Sequence, residues 1–248
     1  MNKTEVNADK NAAEQKPRRV LIVDDHPLVR EGLVRIIRSA GGLDVSGEAG
    51  SIPEAMQAIA AQKPDMVLLD LSLPQGSGLE LLKDLQIQHP DLPVLVLSMH
   101  DEKFYAERAL RAGARGYIMK QEPSASVVEA IRTVLRGGLY VSPSISAGIL
   151  EKFAGGSRDP EKQTGVERLS NRELQVFECI GHGRSTQEIA SQLKLSIKTI
   201  QAHREHIKEK IGVRSSTDLA HHAIRWVEAA SGQAHPKNPQ PFCAATAR

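Results

Sequence analysis

Five polar side chains in the first half of the chain each follow a short apolar run. They are Asp24 and Asp25 after residues 20–23, Asp70 after residues 66–69, Ser98 after residues 94–97, and Lys120 after residues 117–119. Short apolar runs of this kind are typical of strands buried in a parallel sheet. Because ligands bind at the carboxyl edge of such a sheet, we expect these five side chains to meet at one edge.

The three carboxylates and the lysine together suit phosphoryl transfer. Crowded carboxylates repel one another unless a cation joins them, and a site with oxygen ligands alone suits Mg²⁺. A carboxylate can act as the nucleophile and form an aspartyl-phosphate, while the metal and the ammonium group of Lys120 stabilise charge on the transferring group. The residue types therefore predict a magnesium-dependent phosphoryl-transfer site.

Each of these residues also has a simpler explanation. Asp24 and Asp25 could form a capping turn, Ser98 could cap a helix, and Lys120 could be an ordinary surface lysine. Four strands that all end in a polar group at the same edge favour one shared site over four separate explanations.

Helical patterns separate the apolar runs, and together they predict the fold. The first helix carries Leu28, Leu33, Ile36 and Ile37 on one stripe and ends before Gly41. We predict strands at residues 20–23, 43–47, 66–69, 94–97 and 117–119, and further helices at residues 53–63, 78–89, 102–112 and 124–136. Alternating strands and helices imply a parallel sheet covered on both faces, which is an α/β fold.

Residues 18–136 resemble the receiver domain of bacterial two-component response regulators. The features that match are Asp24-Asp25-His26-Pro27, Asp70 with Pro74 and Gly78, Ser98, and Tyr117 three residues before Lys120. The resemblance implies a flavodoxin-like, five-stranded (βα)5 receiver whose partner is a sensor histidine kinase.

The same resemblance implies that Asp70 accepts a phosphoryl group from a phosphohistidine of that kinase. It also implies a magnesium-binding group and a phosphoryl-binding group around Asp70. The first consists of Asp25, Asp70, the backbone carbonyl of Ser72 and, through water, Asp24; the second consists of Ser98 and Lys120, with Tyr117 as the aromatic residue that swings inward.

The composition changes between residues 137 and 166, where glycine and proline recur. Residues 145–153 could form one short amphipathic helix, and the polar remainder up to residue 166 predicts a flexible tether. We therefore place the receiver at residues 18–137, the linker at 138–166 and a second domain at 167–230. We predict that the leader, residues 1–17, and the tail, residues 231–248, are disordered.

Four short helical patterns predict a small all-α second domain. Ser170 and Glu173 form a capping box before the first helix, and we expect Ser216 to cap the fourth. The tight connection at residues 194–196 makes a helix-turn-helix. Residues 194–214 contain six lysines and arginines and two glutamates, a local charge of +4 in a chain of net charge +2. Such a surface suits DNA phosphates, although it could be an ordinary solvated face.

Residues 169–224 also resemble the LuxR-type helix-turn-helix domain. The features that match are Leu169-Ser170, Arg172-Glu173, Glu188-Ile189-Ala190, Ser196, Thr199-Ile200, His203 and Lys210-Ile211-Gly212-Val213. With the receiver in front, the whole chain resembles a response regulator of the NarL/FixJ class. The resemblance implies double-stranded DNA as a partner and a homodimer when the receiver is phosphorylated.

The same resemblance implies DNA contacts along the third helix of this domain. Glu205 stands where some members have a basic residue; it could accept from a cytosine amino group or pair with Lys208. We expect the base-reading residues to be Lys198, Gln201, Ala202 and Glu205, and the phosphate contacts to be Thr199, Arg204 and Lys208. The fourth helix is a candidate dimer surface, or it closes the core of its own domain, through Leu219, Ala223, Ile224 and Trp226.

Other protein classes fit the sequence less well. The two distant cysteines, Cys179 and Cys243, are typical of a reduced, cytoplasmic protein, and no apolar run approaches a membrane helix. A haloacid-dehalogenase-like phosphatase needs a second Asp where this chain has Ser72. A DNA-binding protein with a remnant receiver is disfavoured by the complete set of polar strand ends. We expect no enzyme activity beyond the receiver's own phosphoryl transfer and autodephosphorylation.

Overall fold

The computed structural model describes residues 16–73, 76–154 and 165–230. The predicted disordered tail, nearly all of the predicted leader and Pro74 of the loop after Asp70 lie outside the described residues. By their contacts, the residues divide into two compact units, Met1–Glu161 and Lys162–Arg248.

Unit 1 contains a five-stranded parallel sheet, which confirms the predicted α/β fold. The strands are β1 (Arg18–Val23), β2 (Leu43–Ala49), β3 (Met66–Leu69), β4 (Val94–Ser98) and β5 (Gly116–Met119). Their order across the sheet is β2-β1-β3-β4-β5. Every residue of β3 and β4 is buried, as their apolar sequences predict for strands covered on both faces.

Helices follow each strand and cover the sheet. They are α1 (Pro27–Ser39), α2 (Ile52–Gln62), α3 (Gly78–Gln88), α4 (Glu102–Arg111) and α5 (Ser124–Leu135). Alternate strand residues such as Val20 and Ile22 pack in one core with buried residues of α1 and α5. The residues between them point to the opposite face of the sheet, because successive side chains of a strand alternate. They are equally buried, because that face is covered as well.

The apolar stripe predicted for α1 is wrong at Leu28. Leu28 is 81% exposed, whereas Leu33 and Ile37 are buried and Val29 packs against the same core. Residues 29, 33 and 37 follow one another at intervals of four and therefore share a face. Leu28 lies five positions before Leu33, which rotates its side chain by about 140° around the helix axis.

Gly78 begins α3 where the backbone passes close to the end of β3. A Cβ atom at this position would collide with the carbonyl oxygen of Asp70 and would lie 2.7 Å from the Cα atom of Leu71. Ser77 and Glu80 form a capping box at the same helix end. The tight return of the chain behind Asp70 therefore requires glycine.

The segment predicted as a linker begins by pairing with the edge of the sheet. The Tyr117 N–H donates to the Tyr140 carbonyl at 2.9 Å, and the Tyr140 N–H donates to the Arg115 carbonyl at 3.1 Å. A Cβ atom on Gly116 would lie 2.7 Å from the Tyr140 carbonyl oxygen. Residues next to β5 therefore occupy the place of a further short parallel strand.

A helix, α6 (Pro143–Ala154), follows this pairing. The hydroxyl groups of Ser142 and Ser144 donate to Glu102 Oε1 at 2.6 and 3.1 Å. Because Glu102 is the first residue of α4, these two hydrogen bonds fasten the start of α6 to the start of α4.

Unit 2 is all-α, as predicted. After a 3-10 turn at Gly165–Arg168, its helices are α7 (Asn171–Gly181), α8 (Thr186–Gln192), α9 (Ile197–Ile211) and α10 (Ser216–Ala230). Its core includes Phe177 of α7 and Ile200 and Ile207 of α9, all fully buried.

The structure of the fourth helix, α10, shows that its predicted cap is wrong and that its predicted dimer surface is only partly exposed. Ser215, not Ser216, caps α10, because its Oγ atom accepts from the Asp218 N–H at 3.0 Å. Leu219 and Ala223 are fully buried in the core of unit 2, which removes them from any dimer surface. Trp226 packs on Phe177 with ring centroids 5.4 Å apart. Ile224 is exposed.

Within the described ranges, we find no helix whose length and apolar character would let it cross a membrane.

Gly78→Ala should destabilise unit 1 by roughly 1–3 kcal/mol, because the added Cβ collides with main-chain atoms. Gly32→Ala in α1 is the matched control, since a Cβ there meets nothing within 4 Å. Urea unfolding followed by circular dichroism measures the change, while fluorescence of Trp226, the single tryptophan, follows unit 2 and should not respond. An unchanged dichroism transition for Gly78→Ala would contradict the close approach.

Candidate functional site

Asp24 and Asp70 lie side by side because the strands that they follow are neighbours. Val23 pairs with Leu69 in the parallel register, and the Asp70 N–H donates to the Val23 carbonyl at 2.8 Å. Each aspartate has only 2% of its surface exposed. The sheet therefore holds two buried carboxylates at its carboxyl edge.

Lys120 lies between these two carboxylates. Its Nζ atom is 2.6 Å from Asp24 Oδ2 and 2.8 Å from Asp70 Oδ2, and its side chain is 8% exposed. The Lys120 N–H donates to the carbonyl of Ser98 at 2.8 Å, which joins the ends of β4 and β5. Ser98 is fully buried.

Burial and charge shift the pKa values of this pair. Burial raises the pKa of Asp70 above its usual value; the charge of Lys120 opposes the rise, and the charge of Asp24 adds to it. Burial by itself would lower the pKa of Lys120, but Asp70 and Asp24 raise it overall. An ammonium group whose charged form is favoured therefore faces a carboxylate whose ionised form is disfavoured.

Asp25 and His26 complete an acidic cluster with Asp24 and Asp70. The ligand atoms of these four residues lie within 4.8 Å of one another. His26 Nδ1 is 2.7 Å from Asp25 Oδ1, and the His26 backbone N–H donates to Asp24 Oδ1 at 2.9 Å. In the sequence, His26 is part of the matching Asp24-Asp25-His26-Pro27 motif, and no pattern predicts these contacts.

The second carboxylate oxygen of Asp70 shows that the cluster could hold a metal ion. This atom, Oδ1, is buried and has no hydrogen-bond partner of ordinary geometry among the described residues. A buried polar atom without a partner is costly, and a cation would satisfy it. The carboxylate oxygens around it are ligands that hard divalent cations prefer.

His100 contacts four residues around this site and was not among the predicted site residues. Its backbone N–H donates to Ser98 Oγ at 3.2 Å, and its ring Nε2 lies 3.1 Å from Ser72 Oγ. The ring stacks on Tyr105 with centroids 4.5 Å apart. In the sequence it is one polar residue in the loop between β4 and α4, and no pattern distinguishes it. The predicted role of the Ser72 carbonyl stays a prediction.

Tyr117, expected to swing inward, is buried in this structure. Its hydroxyl donates to the carbonyl of His100 at 2.8 Å. Because the backbone N–H of His100 also donates to Ser98 Oγ, a chain of hydrogen bonds joins β5 to the end of β4, the strand next to β3. The same loop leads directly into α4, so this chain connects the site to the helix that carries Glu102.

In unit 2, a buried glutamate positions α9. Glu173 Oε2 accepts from the Ser170 N–H at 2.7 Å in the capping box of α7 and from Lys210 Nζ at 2.6 Å. Burial would raise the pKa of Glu173, but the hydrogen bonds and charge of Lys210 and the hydrogen bonds of Ser170 lower it overall. Glu173 therefore stays ionised and ties the start of α7 to the end of α9.

The turn between α8 and α9 is held from two sides. Lys194 has a left-handed backbone with φ of 53°, and the Leu195 N–H donates to the Ala190 carbonyl at 2.9 Å. The Arg172 guanidinium donates to the Leu193 carbonyl at 2.8 Å. Together these contacts fix the direction in which α9 leaves the turn, as a helix-turn-helix requires.

The seven predicted DNA-contacting residues divide by exposure. The base-reading set is exposed, and the phosphate-contacting set is partly buried. Exposed are Lys198, Gln201, Ala202 and Glu205; partly buried are Thr199, Arg204 and Lys208.

Three of these side chains already contact a partner within α9 or its cap. Lys208 Nζ lies 2.7 Å from Glu205 Oε2, and the Lys208 side chain is only 16% exposed. The hydroxyls of Thr199 and the capping Ser196 are 2.7 Å apart. Of the two alternatives for Glu205, the structure therefore contains the ion pair with Lys208.

Family models match both halves of the chain. Residues 20–132 match the response regulator receiver domain, and residues 167–223 match the bacterial regulatory proteins of the luxR family. The oxygen regulatory protein NreC of Staphylococcus carnosus (strain TM300) is 34% identical over 210 residues, which cover 84% of this chain and 97% of NreC.

Two solved structures extend this similarity. A two-component response regulator of the LuxR family from Aurantimonas sp. SI85-9A1 is 35% identical, with a TM-score of 0.52 over 56% of this chain and 99% of that one. RcsB of Salmonella enterica serovar Typhimurium, bound to the promoter rprA in the presence of the phosphomimetic BeF3-, is 26% identical, with a TM-score of 0.56 over 84% of this chain and 99% of that one.

Asp70→Asn should stabilise unit 1 by about 1 kcal/mol at about pH 8, because it removes a disfavoured buried charge. The pKa of Asp70 is higher in the folded protein than its ordinary value of 3.8. The ionised carboxylate therefore destabilises the fold above the folded-state pKa, and this effect disappears below about pH 4. The gain should shrink as the pH falls.

Urea unfolding at about pH 8, 6 and 4.5 measures this pH dependence. Asp84→Asn, an exposed aspartate of α3, is the control and should change little. A lower stability of Asp70→Asn at pH 8 would mean that Lys120 requires both carboxylates, contrary to the expectation.

Proposed function

Because this chain belongs to the response regulators that join a receiver domain to a LuxR-type DNA-binding domain, we propose that Asp70 is the residue through which it is switched. The protein is a transcription regulator whose DNA binding is controlled by phosphorylation. One observation supports Asp70 above the other carboxylates: it is buried, contacts Lys120 through one oxygen, and its other oxygen has no hydrogen-bond partner of ordinary geometry among the described residues.

In the proposed reaction, Asp70 Oδ1 attacks the phosphorus atom of a phosphohistidine on a sensor histidine kinase. An O–P bond forms, the P–N bond breaks, and the imidazole leaves with the electron pair and takes up a proton. Lys120 neutralises the charge on a phosphoryl oxygen, and the Ser98 hydroxyl donates to another. Tyr117, whose hydroxyl reaches the neighbouring loop, acts as the aromatic switch residue.

We propose that Mg²⁺ is the cation of the acidic cluster. The carboxylates of Asp24, Asp25 and Asp70 and the backbone carbonyl of Ser72 would hold it, because an all-oxygen ligand set suits this metal. When bound, it supplies positive charge that offsets the negative charge of the carboxylates and the incoming phosphoryl group. His26 borders the cluster and donates its backbone N–H to Asp24, which helps to orient this carboxylate.

The chemistry proposed for the chain is limited to its own phosphoryl group. The chain accepts this group from the kinase and loses it by autodephosphorylation, and we propose no other substrate.

We place the protein in the cytoplasm, where a bacterial regulator meets both the chromosome and the kinase's phosphohistidine.

The signal leaves the acceptor site through β4 and its loop. A phosphoryl group on Asp70 draws the Ser98 hydroxyl toward itself, which changes the hydrogen bonds that His100 makes with Ser98 and Tyr117. The same loop leads into α4, whose first residue, Glu102, accepts a hydrogen bond from Ser142 at the start of α6. Phosphorylation thereby shifts the population of packings of this region.

On DNA, α9 lies in the major groove with the residues of its first turns on base edges. RcsB, which is similar to this chain along most of its length, has been described bound to promoter DNA. We propose that this chain likewise binds as a phosphorylated homodimer, with two α9 helices in successive major grooves about 34 Å apart. Exposed Ile224 on α10 is a candidate contact of that dimer.

Asp70→Asn should abolish phosphorylation of the protein, because it removes the nucleophile. Incubation with a small-molecule phosphodonor and Mg²⁺, followed by intact-mass measurement, should show one added phosphoryl group on the wild type and none on the variant. Asp25→Asn should abolish the Mg²⁺-dependent phosphorylation, because Mg²⁺ loses an oxygen ligand and is poorly held.

Asp84→Asn, on the exposed face of α3, serves as the control and should be phosphorylated like the wild type. Stoichiometric phosphorylation of Asp70→Asn would remove Asp70 from the proposed role and would leave the family assignment intact.

Gln201→Ala should reduce the discrimination between a selected site and unrelated DNA by roughly 1–3 kcal/mol, if Gln201 makes a bidentate base contact. Binding to unrelated DNA should change little and should weaken steeply with salt in both proteins. Fluorescence anisotropy with both duplexes measures these affinities. Gln57→Ala, an exposed glutamine of α2, is the control. Equal losses on both duplexes would remove Gln201 from the reading surface.

A further inference from the structure

In the proposed complex, the first two turns of α9 are the part of the helix that approaches the base edges. Toward its C-terminal end, Glu205 and Lys208 pair with each other. In the first turn, the Thr199 hydroxyl contacts the capping Ser196. The exposed side chains that remain in these two turns are Ile197, Lys198, Gln201 and Ala202.

Ile197 is the unexpected member of this group. It is the first residue of α9 and is 46% exposed, although it is a large apolar side chain. The core of unit 2 does not require it, because Ile200 and Ile207 fill the buried face of α9. Single exposed apolar residues are common, so exposure alone does not indicate a role for Ile197; its position at the start of α9 does.

The first turn of α9 also departs from the other helices of unit 2. α7, α8 and α10 each carry an acidic residue in the first turn, namely Glu173, Glu188 and Asp218. Acidic residues there stabilise a helix through its dipole. α9 has none, and Ile197 and Lys198 stand in their place. The absence of an acidic residue lowers the stability of α9. It suits a helix N-terminus that approaches negatively charged DNA.

An exposed isoleucine at this position matches one feature of the major groove. The 5-methyl group of thymine is the apolar group that base pairs present there, and apolar side chains recognise it by contact. Ile197 lies one turn before Gln201, and residues four apart share a helix face at a spacing of about 5 Å. The two side chains can therefore reach neighbouring base pairs.

We infer that Ile197 is a specificity-determining residue that contacts a thymine 5-methyl group beside the base pair read by Gln201. The inference rests on the proposed binding of α9 in the major groove. It adds a hydrophobic contact to a surface for which the sequence predicted lysine, glutamine, alanine and glutamate. It also predicts that each half-site contains one thymine whose methyl group contributes to affinity.

Replacement of thymine by deoxyuridine tests this directly, because it removes the methyl group and leaves every hydrogen-bonding group in place. A duplex selected from a random library by the phosphorylated full-length protein is substituted at each thymine in turn. At one thymine per half-site, the wild type should bind the substituted duplex about three- to tenfold more weakly. Fluorescence anisotropy of the labelled duplex measures the ratio.

Ile197→Ala should bind the thymine and deoxyuridine duplexes equally, with the affinity of the wild type for the deoxyuridine duplex. Ile197→Val keeps a branched apolar side chain and should keep most of the sensitivity. Ile87→Ala, an exposed isoleucine of α3, is the matched control and should behave as the wild type. Trp226 fluorescence verifies that unit 2 is folded in the Ile197 variants, and circular dichroism verifies the fold of Ile87→Ala.

The outcomes separate this inference from the proposed function. If Ile197→Ala keeps the full sensitivity to the methyl group, another side chain such as Ala202 makes the contact, and the inference is wrong. The inference is also wrong if the wild type binds its selected site specifically but responds to no methyl group; the proposed function then stands. If the protein selects no sequence at all, DNA recognition by α9 fails and the inference fails with it.

Discussion

The receiver depends on one buried ammonium group between two buried carboxylates. Moving such ions out of water is expensive, and only close, well-oriented contacts repay the cost. Lys120 makes two of them because β1, β3 and β5 end at one edge of the sheet. Its single charge does not balance Asp24, Asp25 and Asp70. The cluster is therefore poised to take up more positive charge, which is the condition that a divalent cation fulfils.

The pKa values of two buried carboxylates, one in each unit, are shifted in opposite directions. In unit 2, Glu173 has a lowered pKa because Lys210 and Ser170 stabilise its charge, and it holds α9 in place. In unit 1, the pKa of Asp70 is raised because burial outweighs the favourable contact with Lys120. A stabilised carboxylate is a structural tie, whereas a destabilised one retains reactivity. The pKa of Asp70 is thus shifted in the direction expected for the reactive role proposed for it, and that of Glu173 in the direction expected for a structural tie.

Short apolar runs ending in polar residues were enough to predict the sheet and the edge where Asp24, Asp70 and Lys120 meet. The sequence failed where one position along a helix decides the outcome, as at Leu28, whose side chain turns away from the core, and at the cap of α10. It could not reveal the contact between Glu173 and Lys210, because these residues lie far apart in the chain. It could not reveal the role of His100, because the loop that contains this residue has no periodic pattern. Ile197 escaped notice because only the folded unit shows that the core does not need it.

The pairing of Tyr140 with β5 has a mechanical consequence. A chain that leaves a sheet alongside an edge strand is loaded in shear when it is pulled, so the hydrogen bonds of Tyr140 with Tyr117 and Arg115 bear tension together. Tension from a DNA-bound unit would then be resisted at β5, the strand that directly precedes Lys120. The same pairing occupies backbone groups of Arg115 and Tyr117, which are then unavailable for strand addition by a second molecule.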